Sequence, residues 1–497
     1  MVGDRANSAS GMPTTSKRQQ DVLDVPLQLY PAAGNQSLQV NRAIRSAIID
    51  GRLTAGLRLP SSRALARQLG VRRNAIIAAY EHLLSDGFVE TRTGAGTYVA
   101  PILPPRPQAT SVQRPDRWQT AVRRPFALGH THADRMLLGK FGAALRRQAA
   151  HADQARLGYG DPRGSGALRE QIAAYLAANR GFRCEPGSIL VTSGTQHAVR
   201  LCTVALLGVG DRIWMEDPGY PAASRTFEAS GLVPTAVPVD AEGLDIAAGR
   251  RIAPTAKAVY VTPSHQFPTG VTMSMARRVA LLSWASEQQS FIFEDDYDSE
   301  FRYAGPPLTA LAGLAQGGEV IYLGTFSKTL FPGLRLAYAV LPPKAIDRVV
   351  AARAGFDRFP PSLLDGAVAD LMAEGVLLNH VRRMRSRYRA ARDALASTLK
   401  QAAGDALEIA VPSQGLHLVA YLPPTMSFDA GRRIREMAEV DALLLSETRS
   451  RRSDWREGFI LGFSGFEVQE LTAAAGRLGQ AAARIASSHF AGPRLRA

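Results

Sequence analysis

Cysteine is scarce in this chain. Cys184 and Cys202 are the two among 497 residues, which excludes a disulfide framework and a thiolate metal cage, so no metal site is expected. That usage fits a reducing compartment, and the cytoplasm is the expected location. Long apolar runs are also missing: none approaches the roughly 18 residues of a membrane span, so no membrane partner is expected. Lys17 and Arg18 are followed by no apolar stretch, and no secretory signal is read. Internal repeats are absent as well. Acidic residues are outnumbered 44 to 59, leaving a formal charge of +15 and pointing to an anionic partner if the excess is localised.

The excess is localised. Residues 36–100 carry nine arginines against four carboxylates, and residues 101–125 five arginines against one, so these 90 residues hold +9 of the +15. A hydrophobic share of 46% with 21% charged residues is that of a globular protein. The length exceeds what one core organises, so at least two domains follow. The divisions expected are a disordered polar leader over 1–35, a compact basic domain over 36–100, a linker over 101–125 and a large domain over 126–497. The linker holds six prolines and five arginines, which interrupt any helical period and keep it extended and solvated.

Within 36–100, Val40, Ile44, Ala47 and Ile48 recur at helical spacing and Gly51 is a stop signal. SSRALARQLG follows, with Ser61 or Ser62 as cap and Gly70 as terminator. VRRNAIIAAYEHLLSDG gives a third helix, and FVETRTGAGTYVA alternates around a Gly-Ala-Gly tip as a two-stranded hairpin does. The sum is a winged helix-turn-helix. Such a pair sets its second helix in the major groove of double-stranded DNA, which makes Arg72, Arg73 and Asn74 the base readers. Ser61, Ser62 and Arg63 fall where phosphates fix register, and Thr93, Gly94 and Gly96 let the wing tip approach the backbone. Over nearly its whole length this segment resembles the winged domain of GntR-type regulators. It departs from them at Arg72, where the family usually has serine, and at Ala75, often threonine, which weakens a helix cap.

The region 126–497 alternates helical stretches with the short apolar runs SILVTSG, RIWMED, AVYVTPS, FIFEDD and EVIYLGTFS, a rhythm that predicts an α/β fold with a mostly parallel, covered sheet. Several residues in it meet the demands of pyridoxal 5'-phosphate. Lys328 is the amine for a Schiff base to the aldehyde. Asp295, closing the run FIFED, faces the pyridine nitrogen, and Tyr297 bonds the ring oxygen. Gly194, Thr195 and Gln196 form a strand-to-helix turn whose amides hold a phosphate, joined by Thr325 and Arg335. Tyr220 covers the ring face.

These types in this order resemble fold-type I aminotransferases, EDDYDSEFRY and GTFSKTLFPGLRLAY most specifically. The two halves together resemble the MocR-type regulators. That resemblance implies a homodimer in which each winged domain reaches the partner's large domain, with Tyr159 helping to hold the phosphate of the neighbouring subunit. Two departures bear on chemistry. Phe267 stands where aminotransferases carry asparagine, with His265 or Gln266 as compensating candidates, and GFILGFSGF lacks the arginine that binds a substrate carboxylate, Arg449 being the nearest substitute. His417 is either a residue of the substrate side or a packed histidine. The expected function is a ligand-responsive transcriptional regulator sensing an amine, an amino acid or the cofactor itself, with at most partial transamination. The alternative is an active aminotransferase carrying a DNA-binding module.

Overall fold

The computed structural model describes residues 22–27, 29, 35–101, 124–315, 318–424, 426–449 and 456–490. The chain divides into two compact units, Met1–Gln119 and Thr120–Ala497.

In the first unit, helix α1 spans Gln36–Ile49, α2 Ser62–Leu69 and α3 Arg73–Ser85, followed by strands β1, Val89–Arg92, and β2, Gly96–Val99. Each boundary has a local cause. Asn35 caps α1 by accepting from the Ser37 amide, and Ser61 caps α2 by accepting from the Ala64 amide. Gly70 ends α2 in the left-handed conformation, at φ +64°. The apolar faces close on one small core containing Val40, Ile44, Leu65, Ile76, Leu83 and Val99. The hairpin pairs Val89 with Val99 and Arg92 with Gly96, with Gly94 at positive φ in the turn.

The leader differs from expectation at its end. Leu23 is buried in this core, and its amide and carbonyl bond the two ends of the Gln68 side-chain amide at 2.9 and 2.7 Å. An apolar side chain with a satisfied backbone is held in place, which the polar composition of 1–35 conceals. The rest of the expected leader, residues 1–21, 28 and 30–34, lies outside the described residues, as does the linker over 102–123.

The second unit contains an eight-stranded sheet built from β3 Ile189–Thr192, β4 Arg212–Asp217, β5 Val233–Asp240, β6 Gly243–Leu244, β7 Ala258–Val261, β8 Phe291–Asp296, β9 Val320–Thr325 and β10 Ala337–Val340. Their order is β3-β10-β9-β8-β7-β4-β5-β6. The central pairs β5-β4, β4-β7, β7-β8 and β8-β9 are parallel, while β10 runs antiparallel to both neighbours and β6 to β5. Separate apolar clusters, one around Tyr260 and Phe293 and one around Val259 and Ile292, cover the two faces. This is why the strands read as unbroken apolar runs. A second, antiparallel sheet of β11 Glu408–Ala410, β12 His417–Tyr421, β13 Leu443–Leu444 and β14 Gly458–Gly462 was not foreseen. Its strands are short, and an α-helix, Phe428–Ala438, lies between β12 and β13, so sequence spacing hides their pairing.

Replacing Ile44, fully buried, with alanine should cost about 2–5 kcal/mol in the first unit. Hydrogen exchange read over residues 35–101 measures it, and unchanged protection there would contradict this core assignment.

Candidate functional site

β8 sets the geometry. Two-residue alternation sends Phe293 and Asp295 to one face and Glu294 and Asp296 to the other. Glu294 accepts from the amides of Leu311 and Ala312 at 2.7 and 2.8 Å. Asp296 pairs with Arg180 at 2.6 Å and accepts from the Tyr322 hydroxyl. Asp295 instead opens on a cavity of about 560 Å³ and accepts from the hydroxyl of Tyr260 on β7. Burial pushes its pKa up to about 7, against the Tyr260 hydrogen bond and the charge of Lys328, with Asp296 adding to the rise.

Lys328, just past β9, lines the same cavity, and its Nζ donates to the Gly129 carbonyl at 3.4 Å. Gly129 permits that approach, since a Cβ there would lie 3.3 Å from Nζ. Burial lowers the Lys328 pKa, opposed by Asp298 and Asp295. A partly desolvated amine beside a carboxylate is suited to carbonyl chemistry.

Gly194 caps the helix Thr195–Leu206 at φ +112°, which leaves the amides of Thr195 and Gln196 in its first turn without intrahelical partners. Arg335, itself left-handed at φ +52°, lays its guanidinium against this turn, and a Cβ at position 194 would stand 3.1 Å from it. Glycine is therefore required twice over, by conformation and by the closeness of a cation. Thr325 contributes its hydroxyl, which accepts from the Ser327 amide at 3.1 Å. Amides, hydroxyl and guanidinium together form a cradle for a phosphate-sized anion. Tyr220 opens the helix Pro221–Ala229, and its ring meets Phe267 edge-to-face at 5.6 Å. Tyr297 is half-buried with its hydroxyl 3.1 Å from His265 Nδ1.

Gly194, Thr195, Gln196, Tyr220, Asp295, Tyr297, Thr325, Lys328 and Arg335 thus line one cavity. Tyr159 does not: the residue is 79% exposed, its ring against Phe359 and under the guanidinium of Arg358. His417 lines the cavity, held by Pro268 O at 3.0 Å, and burial pushes its pKa down to about 4. His265 and Gln266 are not lining residues. The Gln266 amide is spent on Pro218 and Phe267 carbonyls, at 2.9 and 2.5 Å, and on Thr269. Arg449 also lies off the lining, with Glu457 and Asp217 as its nearest charges. Sequence reasoning missed Gly129, Arg225 and Glu447, all of which line the cavity. Arg225, one turn beyond Pro221, was within reach of helix spacing, whereas Gly129 approaches Lys328 across 199 residues and had no local signal.

In the first unit, Ser61, Arg63, Arg72, Arg73, Asn74, Thr93, Gly94 and Gly96 are all exposed and Ser62 is half-buried. Arg72 occupies the cap position of α3 without a side-chain cap, as its departure from serine implied. Arg73 Nε donates to Ser62 Oγ at 3.3 Å, linking α2 to the start of α3. Arg58 was not foreseen: it bridges Tyr98 and lies beside Gly96 at the wing.

Comparison with known proteins agrees with this division. Residues 36–99 match the model for bacterial regulatory proteins of the gntR family, and residues 134–448 match aminotransferase class I and II. The probable rhizopine catabolism regulatory protein MocR of Rhizobium meliloti is 33% identical over 87% of this chain and 91% of its own. The chain belongs to the MocR-type, gntR-family regulators with an aminotransferase-like domain. A second relative, the HTH-type transcriptional regulator TauR of Rhodobacter capsulatus, is 32% identical over 76% of this chain and 82% of its own. Among solved structures, LysN, the alpha-aminoadipate aminotransferase of Thermus thermophilus, complexed with N-(5'-phosphopyridoxyl)-L-leucine, shares 28% identity. It covers 73% of this chain and 92% of its own, with a TM-score of 0.65. The MocR-type fold is thereby that of fold-type I aminotransferases joined to a winged helix-turn-helix.

The raised Asp295 pKa has a sign. Unfolding returns the carboxyl to its ordinary value near 3.8, so raising the pH from about 4 to about 7 ionises the unfolded chain first and lowers stability. Glu216 and Glu294, also buried and raised to about 7, act in the same direction. Asp295→Asn should flatten this decline in ligand-free protein, as measured by urea unfolding across that range. An unaltered slope would place Asp295 outside the effect.

Proposed function

We propose that this MocR-type protein is a cytoplasmic transcriptional regulator that binds double-stranded DNA through α2, α3 and the wing, and pyridoxal 5'-phosphate through the cavity of the second unit. The observation that carries this reading is the joint presence of an exposed Arg72-Arg73-Asn74 helix start and a cavity lined by Lys328, Asp295 and Arg335 in one chain. Arginine and asparagine at the amino end of a recognition helix have the donor geometry for guanine and adenine edges. Ser61, Ser62, Arg63, Thr93, Gly94 and Gly96 surround them as phosphate contacts.

When bound, pyridoxal phosphate supplies an aldehyde for amines and a ring that withdraws electrons. Lys328 would be its covalent anchor. Asp295 would keep the ring nitrogen protonated, with the Tyr260 hydroxyl fixing the carboxylate for that task. The Thr195 and Gln196 amides with Gly194, Thr325 and Arg335 would hold the phosphate, Tyr220 would cover the ring and Tyr297 would donate to its oxygen. The remaining cavity takes a small amine, an amino acid or none, the cofactor itself then being the signal. Regulation requires only that this ligand bind two states of the protein unequally. Steady turnover is not assigned: the Phe267 side chain offers no hydrogen bond, and β14 presents no arginine for a substrate carboxylate. The family resemblance supports a homodimer with each winged unit serving beside the partner's large unit, and an exposed Tyr159 is free to complete the neighbouring phosphate site.

Binding of purified protein to the DNA upstream of its own gene, with and without pyridoxal phosphate and a panel of amines, tests the reading. Binding that changes with one of them supports it, and no binding under any condition contradicts it. Lys328→Ala should abolish the visible absorption of the bound cofactor while leaving basal DNA binding largely intact; retained absorption would implicate another lysine. Arg73→Ala should weaken binding by about 1–3 kcal/mol and relax specificity at one base pair. A uniform loss across operator variants would make it a phosphate contact instead.

A further inference from the structure

We propose that Asp298 and His265 position the Tyr297 hydroxyl, as a buried chain that supplies the donor Phe267 cannot. What lies beyond Tyr297 rests on the cofactor reading above; the chain itself is protein geometry.

Asp298 Oδ2 and Oδ1 lie 2.9 and 3.2 Å from His265 Nδ1, and both side chains are about 1% exposed. A carboxylate only accepts, so Nδ1 carries a hydrogen. The Tyr297 oxygen lies 3.1 Å from the same nitrogen. Nitrogen already bearing a hydrogen cannot accept a second, so Tyr297 meets it with a lone pair and the N–H is shared. The hydroxyl hydrogen of Tyr297 is then left to point away from His265, and Tyr297 lines the cavity.

The far side of the imidazole agrees. His265 Nε2 is buried without a hydrogen-bond partner and faces Gly270, where a Cβ would lie 3.3 Å away. A hydrogen on Nε2 would be a buried donor with no acceptor, so the ring's single proton belongs on Nδ1. Gly415 packs directly against the ring: at φ +92°, any Cβ there would collide with Cε1. Gln266 has no donor to spare, having given its amide to two carbonyls. Among His265, Gln266, Phe267 and Tyr297, the donor left for an anionic ring oxygen is the Tyr297 hydroxyl. The charged and titratable groups around this chain are His417 from β12, with rings 5.0 Å apart, Glu216 from β4, Asp295 from β8 and Tyr303 beside Asp298, while Asp296 acts from the far face of β8 and Lys328 feels both Asp298 and Asp295.

The test is a pH titration of the visible absorption of full-length protein loaded with pyridoxal phosphate. A donor to the ring oxygen favours the form in which that oxygen bears full negative charge, so losing it raises the midpoint. The size is about one pH unit, that of one hydrogen bond to a charged acceptor. Tyr297→Phe and His265→Leu should each raise the midpoint by the same amount, and the double substitution no further. His265→Asn should keep the wild-type midpoint, since its Nδ2 can stand where Nδ1 does.

A wild-type midpoint in His265→Leu beside a shifted Tyr297→Phe would overturn the positioning role and leave the cofactor reading intact. No visible band in the wild type would overturn the cofactor reading and this one with it. If near-ultraviolet circular dichroism shows His265→Leu unfolded, the other pair decides: His265→Asn at the wild-type value supports the role, and at the Tyr297→Phe value overturns it.

Discussion

The second unit depends on holding an amine and a carboxylate together in the lining of one cavity. Alone, either charge would resist burial, and the opposite shifts of Lys328 and Asp295 record that resistance. Much of the surrounding fold keeps the pair in place. β8 is fixed from behind by Glu294 on two amides and by Asp296 on Arg180, so its remaining carboxylate has one direction to face. Tyr260, one strand over, then fixes that carboxylate. An anion cradle built on Gly194 and Arg335 completes a site with three different demands, on nitrogen, on carbonyl and on phosphate.

Those demands explain what was legible in the sequence. Lys328, Thr325 and Arg335 lie within one short segment, and Asp295 and Tyr297 within another, so local order carried their meaning. The strands of the large sheet were equally plain, because burial on both faces leaves an unbroken apolar run. What was hidden depends on distance along the chain. Gly129 admits Lys328 from 199 residues away, and the small sheet of β11 to β14 is assembled across the helix Phe428–Ala438. His265 was weighed as a direct stand-in for an asparagine, but its ring turns from the cavity to meet Asp298, a relation that no spacing reveals.

The winged unit shows the same contrast. Glycine stops and a serine cap marked its helices within a few residues, since termini are governed by local backbone groups. The packing of Leu23 beneath Gln68 was invisible, because one apolar residue in a polar stretch gives no periodicity. Arg72 marks a tension between folding and function: a serine there would cap α3, and the arginine gives up that cap in exchange for a cation at the start of the recognition helix.

Which lysine would carry the proposed cofactor decides the site most directly. Borohydride reduction of the protein loaded with pyridoxal phosphate, followed by peptide mass mapping, reads this without reference to activity or DNA. The account predicts the phosphopyridoxyl mass on the peptide containing Lys328 and on no other. Label on a different lysine, or none retained after reduction, would contradict it.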